Sequence, residues 1–334
     1  MPLSRDITMR YVIPEAPPVI APVSPVIVRP RWSVMIPVFN CGGFLELTLQ
    51  SVLCQDRGQG AMQIEVVDDA SSDTDVKALV AAVGKGRIGY FRQDRNVGSV
   101  LNFHTCLQRA RGHLIHILHG DDLVRPGFYQ KQEHLFEKYP EAGAAFTRFA
   151  YVDEVGSELF CQDPEMNKDG ILQNWLCRLS QKQRIQYAAM VVRREVYEKL
   201  GGFYGVEYGE DWEMWVRIAA HYRVAYTPDV LAEYRRHSNS ISGQAQLTAR
   251  NMECLHWVMQ RIQAWLPEHE RDKVLRESRR FYARYALRTA LSLWVRFRNR
   301  RGAFAQARAA WQMNRDLIVL CDLIKLYTRI TLNL

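Results

Sequence analysis

No uninterrupted apolar run in this 334-residue sequence approaches the roughly 18 residues that a membrane-spanning helix requires, so none is predicted. A CxxC pair is missing too. The seven cysteines (Cys41, Cys54, Cys106, Cys161, Cys177, Cys254 and Cys321) are odd in number and scattered, which argues against a zinc site and a disulfide framework and suits a reducing cytosol. There is no internal repeat and no recognisable nucleic-acid recognition module, so no nucleic-acid partner is expected. Residues 11–30 look greasy, but Pro14, Pro17, Pro18, Pro22, Pro25 and Pro30 would break a signal-peptide helix and Glu15 interrupts its start. Residues 1–30 therefore read as a Pro-rich, extended leader of low order.

What remains is 48% hydrophobic, enough to fill the core of one large α/β domain with an appendage, or of two domains. The net charge of +8 is unevenly placed. Residues 250–334 hold 17 Lys/Arg against 7 Asp/Glu, a surplus of +10, which leaves −2 for residues 1–249. A near-neutral body with a basic tail points to an anionic surface as partner, a phospholipid leaflet or a nucleic acid, and a nucleic-acid-binding protein acting through that tail is an alternative reading.

Four short segments carry the chemistry: PVFN at 37–40, VVDDASSD at 66–73, HGDD at 119–122 and GEDW at 209–212. Residues 32–39 read as a buried strand followed by a turn and a helix. A second strand, 63–67, runs into Asp68 and Asp69, with Ser72 or Asp73 as N-cap of a helix over 74–83. A strand at 88–92, a turn at Asn96–Gly98, a helix over 100–111 and a strand at 113–118 follow, the last opening into Asp121 and Asp122. Further strands are expected at 144–152 and 188–192, around an irregular stretch, 154–184, suited to an acceptor. A helix starts near Asp211, and helices fill 244–334, broken at Pro267 and around Arg301 and Gly302. This alternation predicts a mixed, mostly parallel sheet flanked by helices, with carboxylates converging along one edge.

In order and spacing these segments resemble the family 2 glycosyltransferases of the GT-A, Rossmann-like fold, over residues 31–243, with 244–334 as an all-helical extension. The resemblance implies inverting transfer of a sugar from a nucleotide diphosphate, with Mn²⁺ or Mg²⁺ stabilising the leaving group. By match to the family motifs, Asp122 binds the metal, Asp121 faces the ribose or metal, and His237 in the YRRH segment completes the metal shell while Arg235 meets the diphosphate. Asp69 accepts a nucleobase N–H, with Pro37 and Phe39 as backbone and wall of the base pocket and Asn40, Asn96 and Gly98 as turns beside the donor. UDP is favoured, with dTDP or GDP open. Asp211 is the expected base and Glu210 orients the acceptor or the loop, while the acidic pair also suits a helix N-terminus.

His119 stands where many relatives have an acid and reads as pocket-lining. Trp212 and Trp215 are candidates to stack on a sugar, Trp215 reading better as core. The processive signature QxxRW is absent, so one sugar per encounter is expected. The acceptor would be a saccharide or lipid-linked saccharide in surface-polysaccharide or lipopolysaccharide synthesis, with the enzyme cytoplasmic, on its own or peripheral to the inner membrane face. Basic, aromatic helices around Arg276–Arg301, with Tyr282, Tyr285, Trp294 and Phe297, suit an anionic bilayer, or else pack on the body or a second subunit of a homo-oligomer. A sugar-phosphate nucleotidylyltransferase is the rival enzyme, but PVFNCGG lacks the Arg and Lys of its phosphate loop.

Overall fold

A parallel half-sheet built from the N-terminal segment positions PVFN, VVDDASSD and HGDD. The computed structural model describes residues 14–237 and 240–333, so residues 1–13 of the expected leader lie outside it. Strand β1 (Trp32–Val38) is buried throughout, as its run of Val, Met and Ile requires of a central strand. Helix α1 (Gly42–Leu53), β2 (Met62–Asp68), α2 (Val76–Gly84), β3 (Gly89–Arg92), α3 (Ser99–Arg109) and β4 (Leu114–Ile117) complete the half-sheet. Next come β5 (Leu123–Val124), α4 (Phe128–Lys138), β6 (Ala142–Val152), β7 (Glu158–Cys161), β8 (Gly170–Ile171), α5 (Trp175–Gln181), β9 (Met190–Arg193), α6 (Arg194–Leu200), α7 (Glu210–His221) and β10 (Arg223–Arg235). The remainder is helical: α8 (Ile241–Thr248), α9 (Arg250–Arg261), α10 (Glu268–Phe297), α11 (Arg300–Met313) and α12 (Leu317–Thr331).

The sheet runs β3-β2-β1-β4-β9-β6-β10-β5, with β7 and β8 pairing to β6 and β10. Strands β1 to β4 are mutually parallel, as are β6 and β10, while β9 is antiparallel to both neighbours. Chain order reverses between β1 and β4, the crevice where open α/β sheets bind ligands. Gly112 makes the start of β4 possible, because a Cβ there would lie 2.4 Å from the Trp32 carbonyl carbon.

Four expectations change. Helix α2 is capped by Asp75, whose side chain accepts from Ala78 N–H, since Asp73 instead accepts from Gly42 N–H and Ser72 N–H donates to Asn40. Strand β10 has no clear sequence signal because Pro228 and Asp229 interrupt it, and the structure absorbs them in a bulge between Thr227 and Val230. Residues 154–184 are less irregular than expected, containing β7, β8 and α5. Low order does not describe residues 14–30: they run over the body, with Ile20 buried and the carbonyls of Pro18 and Ala21 accepting from Gly202 N–H and Arg194.

The tail packs inward. Of the two readings of these helices, bilayer surface or packing on the body, the structure has the second for Tyr282, Leu287, Leu293 and Trp294, which are buried in the core, and α10 lies against α5, α9, α11 and α12. Pro267 begins α10 and the next break falls at Arg298 and Asn299, with a further break before α12.

Candidate active site

The HGDD turn is held against PVFN by close packing. Gly120 N–H donates to Pro37 O at 3.2 Å, and a Cβ on Gly120 would lie 2.8 Å from Cys41 Sγ and 2.9 Å from Val38 Cγ2, so only glycine fits. From α1, Thr48 Oγ1 lies 3.0 and 2.8 Å from the carbonyl oxygens of Gly120 and Asp122. The ends of β1 and β4 thus present the acids as one rigid edge.

Side-chain ligand atoms of His119, Asp121 and Asp122 lie within 4.8 Å of one another. Asp122 is 1% exposed; its Oδ1 accepts the backbone N–H of Arg235 at 2.9 Å, and its Oδ2 is buried with no partner among the described residues. Burial, then the Asp121 charge, raises the Asp122 carboxyl well above the carboxylate range. Burial also opposes ionisation of Asp121, but the hydrogen bond with His237 and the nearby histidines hold its pKa below the ordinary value. His119 lines the pocket as expected, its ring 5.1 Å from Phe103 and 4.4 Å from Tyr187, while its buried Nε2 is unpartnered and belongs to the ligand cluster.

His237, expected in the metal shell, places its Nε2 2.8 Å from Asp121 Oδ2, beside the cluster of His119, Asp121 and Asp122. Arg235, expected to meet the diphosphate, is buried, and its guanidinium donates to the carbonyls of Asp121, Asp153 and Glu154 over the ring of Phe44, so it braces the turn.

On the other side of β1, Asp68 is a structural acid, bound by Ser71 N–H, Tyr90 and Arg92. Asp69 is buried and accepts from Val97 N–H at 2.7 Å and Gly98 N–H at 3.0 Å, which fixes the Asn96–Gly98 turn. Burial raises its pKa despite those two bonds. Gly98 has φ +90°, a left-handed value that explains glycine there. Pro37 is buried, Phe39 is 49% exposed beside it, and Asn40, at φ 50°, links the two loops through Ser71 and Ser72.

GEDW opens α7 after a turn at Gly209 with φ +90°. Asp211 Oδ1 accepts the N–H of Trp212 at 2.7 Å, and Oδ2 accepts from the side-chain amide of Gln183. The N-terminus of a helix favours a carboxylate, yet burial prevails here and pushes Asp211 up to about 7. Glu210, raised well above the carboxylate range by burial and then by the Asp211 charge, accepts from Tyr187 Oη at 3.2 Å. Tyr187 also lies against the His119 ring, tilted at 35°, so it joins the two acidic motifs physically. Trp215 is core as expected, and Trp212 is core too: its indole donates to Leu179 O and its ring meets Tyr282 at 5.3 Å, which removes it as a sugar platform. Gln183, Tyr187 and Tyr282 are additions that no sequence spacing announces.

With this geometry in view, comparison with known proteins is decisive. Residues 33–201 match the family model "Glycosyl transferase family 2". The chain belongs to that family. Among relatives, the uncharacterized protein MT1568 of Mycobacterium tuberculosis is 30% identical over 261 residues, 71% of this chain and 76% of that protein. TuaG of Bacillus subtilis, named as a glycosyltransferase of teichuronic acid biosynthesis, is 26% identical over 69% of this chain and 91% of its own length. The crystal structure of S. aureus TarS 1–349 in complex with UDP-GlcNAc superposes with a TM-score of 0.64 at 15% identity, covering 90% of this chain and 88% of that one, which shows a shared GT-A fold. Family membership favours neither the nucleotidylyltransferase reading nor the nucleic-acid-binding one.

Proposed function

We propose that this enzyme is a metal-dependent, inverting, non-processive transferase that acts in the cytoplasm, moving one sugar from a uridine diphosphate donor to an acceptor hydroxyl in surface-polysaccharide or lipopolysaccharide synthesis. The observation that carries it is the unpartnered, buried Oδ2 of Asp122 beside Asp121 and the free Nε2 of His119. Two crowded carboxylates and a neutral imidazole are the donor set a divalent cation satisfies, with Mn²⁺ better suited than Mg²⁺ to a nitrogen ligand. Asp122, Asp121 and His119 would hold the ion, and His237 and Arg235 would orient them. Bound there, the cation would neutralise charge on the departing diphosphate.

The chain's own residues supply the rest. Asp69 keeps lone pairs on both oxygens for a base N–H, next to Phe39 as a wall; UDP in the TarS complex favours uracil, while dTDP and GDP belong in any comparison panel. Asp211 takes the proton of the acceptor hydroxyl as that oxygen bonds the anomeric carbon and the bond to the diphosphate oxygen breaks, its electron pair leaving with the nucleotide. A carboxylate poised near 7 suits that task at neutral pH. Gln183 holds the base, and Glu210, through Tyr187, ties it to the donor edge. The name of the TuaG relative supports a surface-polymer product.

The stereochemistry is testable without knowing the acceptor. During slow hydrolysis of an α-linked UDP-sugar, proton NMR should show the β sugar as the first-formed anomer, and Asp211→Asn should abolish it. An α product from active enzyme would refute the inverting mechanism.

A further inference from the structure

Helix α12 carries an apolar arc wider than the face it buries. Val319, Leu323, Leu326 and Ile330 are buried towards α10 and α11. Leu317, Leu320, Ile324 and Tyr327 form an adjoining strip by their three- and four-residue spacing, and they are 78%, 40%, 57% and 42% exposed. Asp322, Lys325 and Arg329 occupy the remaining, polar side, so the core takes only part of the helix's apolar arc and the rest faces outward.

The ends of this exposed strip are cationic. At its start, Arg280, Arg284 and Arg315 line an open groove with Leu317, Ile318 and Leu320. The one acid there, Asp316, is engaged in capping α12 through Val319 N–H and in accepting from Asn314. Further along, Tyr327 stacks on Phe304 at 5.5 Å, and the guanidinium of Arg300 sits 5.3 Å from the Phe304 ring.

We propose that this face of α12 seats on an anionic phospholipid bilayer, with the leucines and Ile324 at the acyl boundary and the arginines on lipid phosphates. A second copy of the chain is a poorer occupant, because a two-fold contact would bring the same arginines together from both sides. The inference stands apart from the choice of donor or metal, since none of these residues belongs to the catalytic edge.

Vesicle co-sedimentation of the full chain tests it, using phosphatidylcholine alone and phosphatidylcholine with about one third phosphatidylglycerol. The protein should bind the anionic vesicles at least about tenfold more tightly than the neutral ones. Leu320→Asp with Ile324→Asp should weaken that binding at least about tenfold, with an unchanged melting temperature because both positions are exposed. Arg280→Gln, Arg284→Gln and Arg315→Gln together should erase the preference for anionic lipid. Equal or no binding to the two vesicle types, or retention by the aspartate variant, would overturn the proposal. So would light scattering that finds a dimer which the aspartate variant dissolves, assigning the face to a second copy.

Discussion

The hydroxyl of Tyr282 accepts the backbone N–H of Gln183 at 3.0 Å, and Gln183 in turn presents its side-chain amide to Asp211. Ser278, one turn earlier on α10, anchors the same segment through the carbonyls of Ser180 and Gln181. The side-chain Oε1 of Gln183 accepts from Arg184 N–H, so its NH2 end is the one left facing the carboxylate. The C-terminal helices therefore help to position Asp211, the proposed base, although they lie far from it in sequence.

Loss of that support should show in the pH profile. Gln183→Ala removes a donor that favours the ionised form of Asp211, so the rising limb of kcat/KM should move to higher pH, with KM for the donor little changed. Tyr282→Phe leaves a buried N–H unpaired and should cost about 1–3 kcal/mol of stability by denaturant titration. An unchanged profile in both variants would mean that Gln183 is structural only.

Asp211 predicts two further pH effects of opposite use. Activity needs the ionised base, so kcat/KM should rise about tenfold per pH unit below 7 and level off above it. Stability runs the other way. The folded-state pKa of about 7 lies above the ordinary 3.8, so the folded protein holds a proton that the unfolded chain lacks across that window, and stability falls as pH rises through it. Asp211→Asn should be inactive yet more stable than the parent at pH ~8, by about 1–4 kcal/mol, with the gap closing below pH ~4. Thermal melts across pH check this.

Gly120→Ala should be costly for a reason confined to packing. The added methyl meets Cys41 and Val38, so about 1–3 kcal/mol of stability should be lost, and displacement of Asp121 and Asp122 should weaken nucleotide binding as well. Calorimetry and a melting curve on one preparation separate the two effects.

His119→Asp replaces a nitrogen donor by a hard oxygen in the same cluster. The ratio of Mg²⁺-supported to Mn²⁺-supported activity should rise, by about severalfold on ligand-preference grounds. An unaltered ratio would leave His119 as a pocket wall alone.

Much of this site was legible in the sequence because its motifs sit at strand ends, where an apolar run followed by acids marks both the strand and the turn. PVFN, VVDDASSD and HGDD share one edge for that reason. Arg235 and His237 were harder: a motif supplies residue types, but only the fold shows that the guanidinium is enclosed by three carbonyls and the imidazole faces Asp121. Tyr282 had no local signal at all, and its aromatic neighbours read equally well as membrane-facing until packing buried them. The exposed side of α12 escaped notice because its sequence matches a buried helix.

The central claim is a metal-assisted nucleotide site at the HGDD edge. Titration of UDP, dTDP and GDP by calorimetry, with and without Mn²⁺, on the parent and on Asp122→Ala, tests it most directly. UDP binding that depends on Mn²⁺ and vanishes in the folded variant is the predicted result. Equal UDP binding with and without the metal, or full Mn²⁺-dependent binding by Asp122→Ala, would contradict the account.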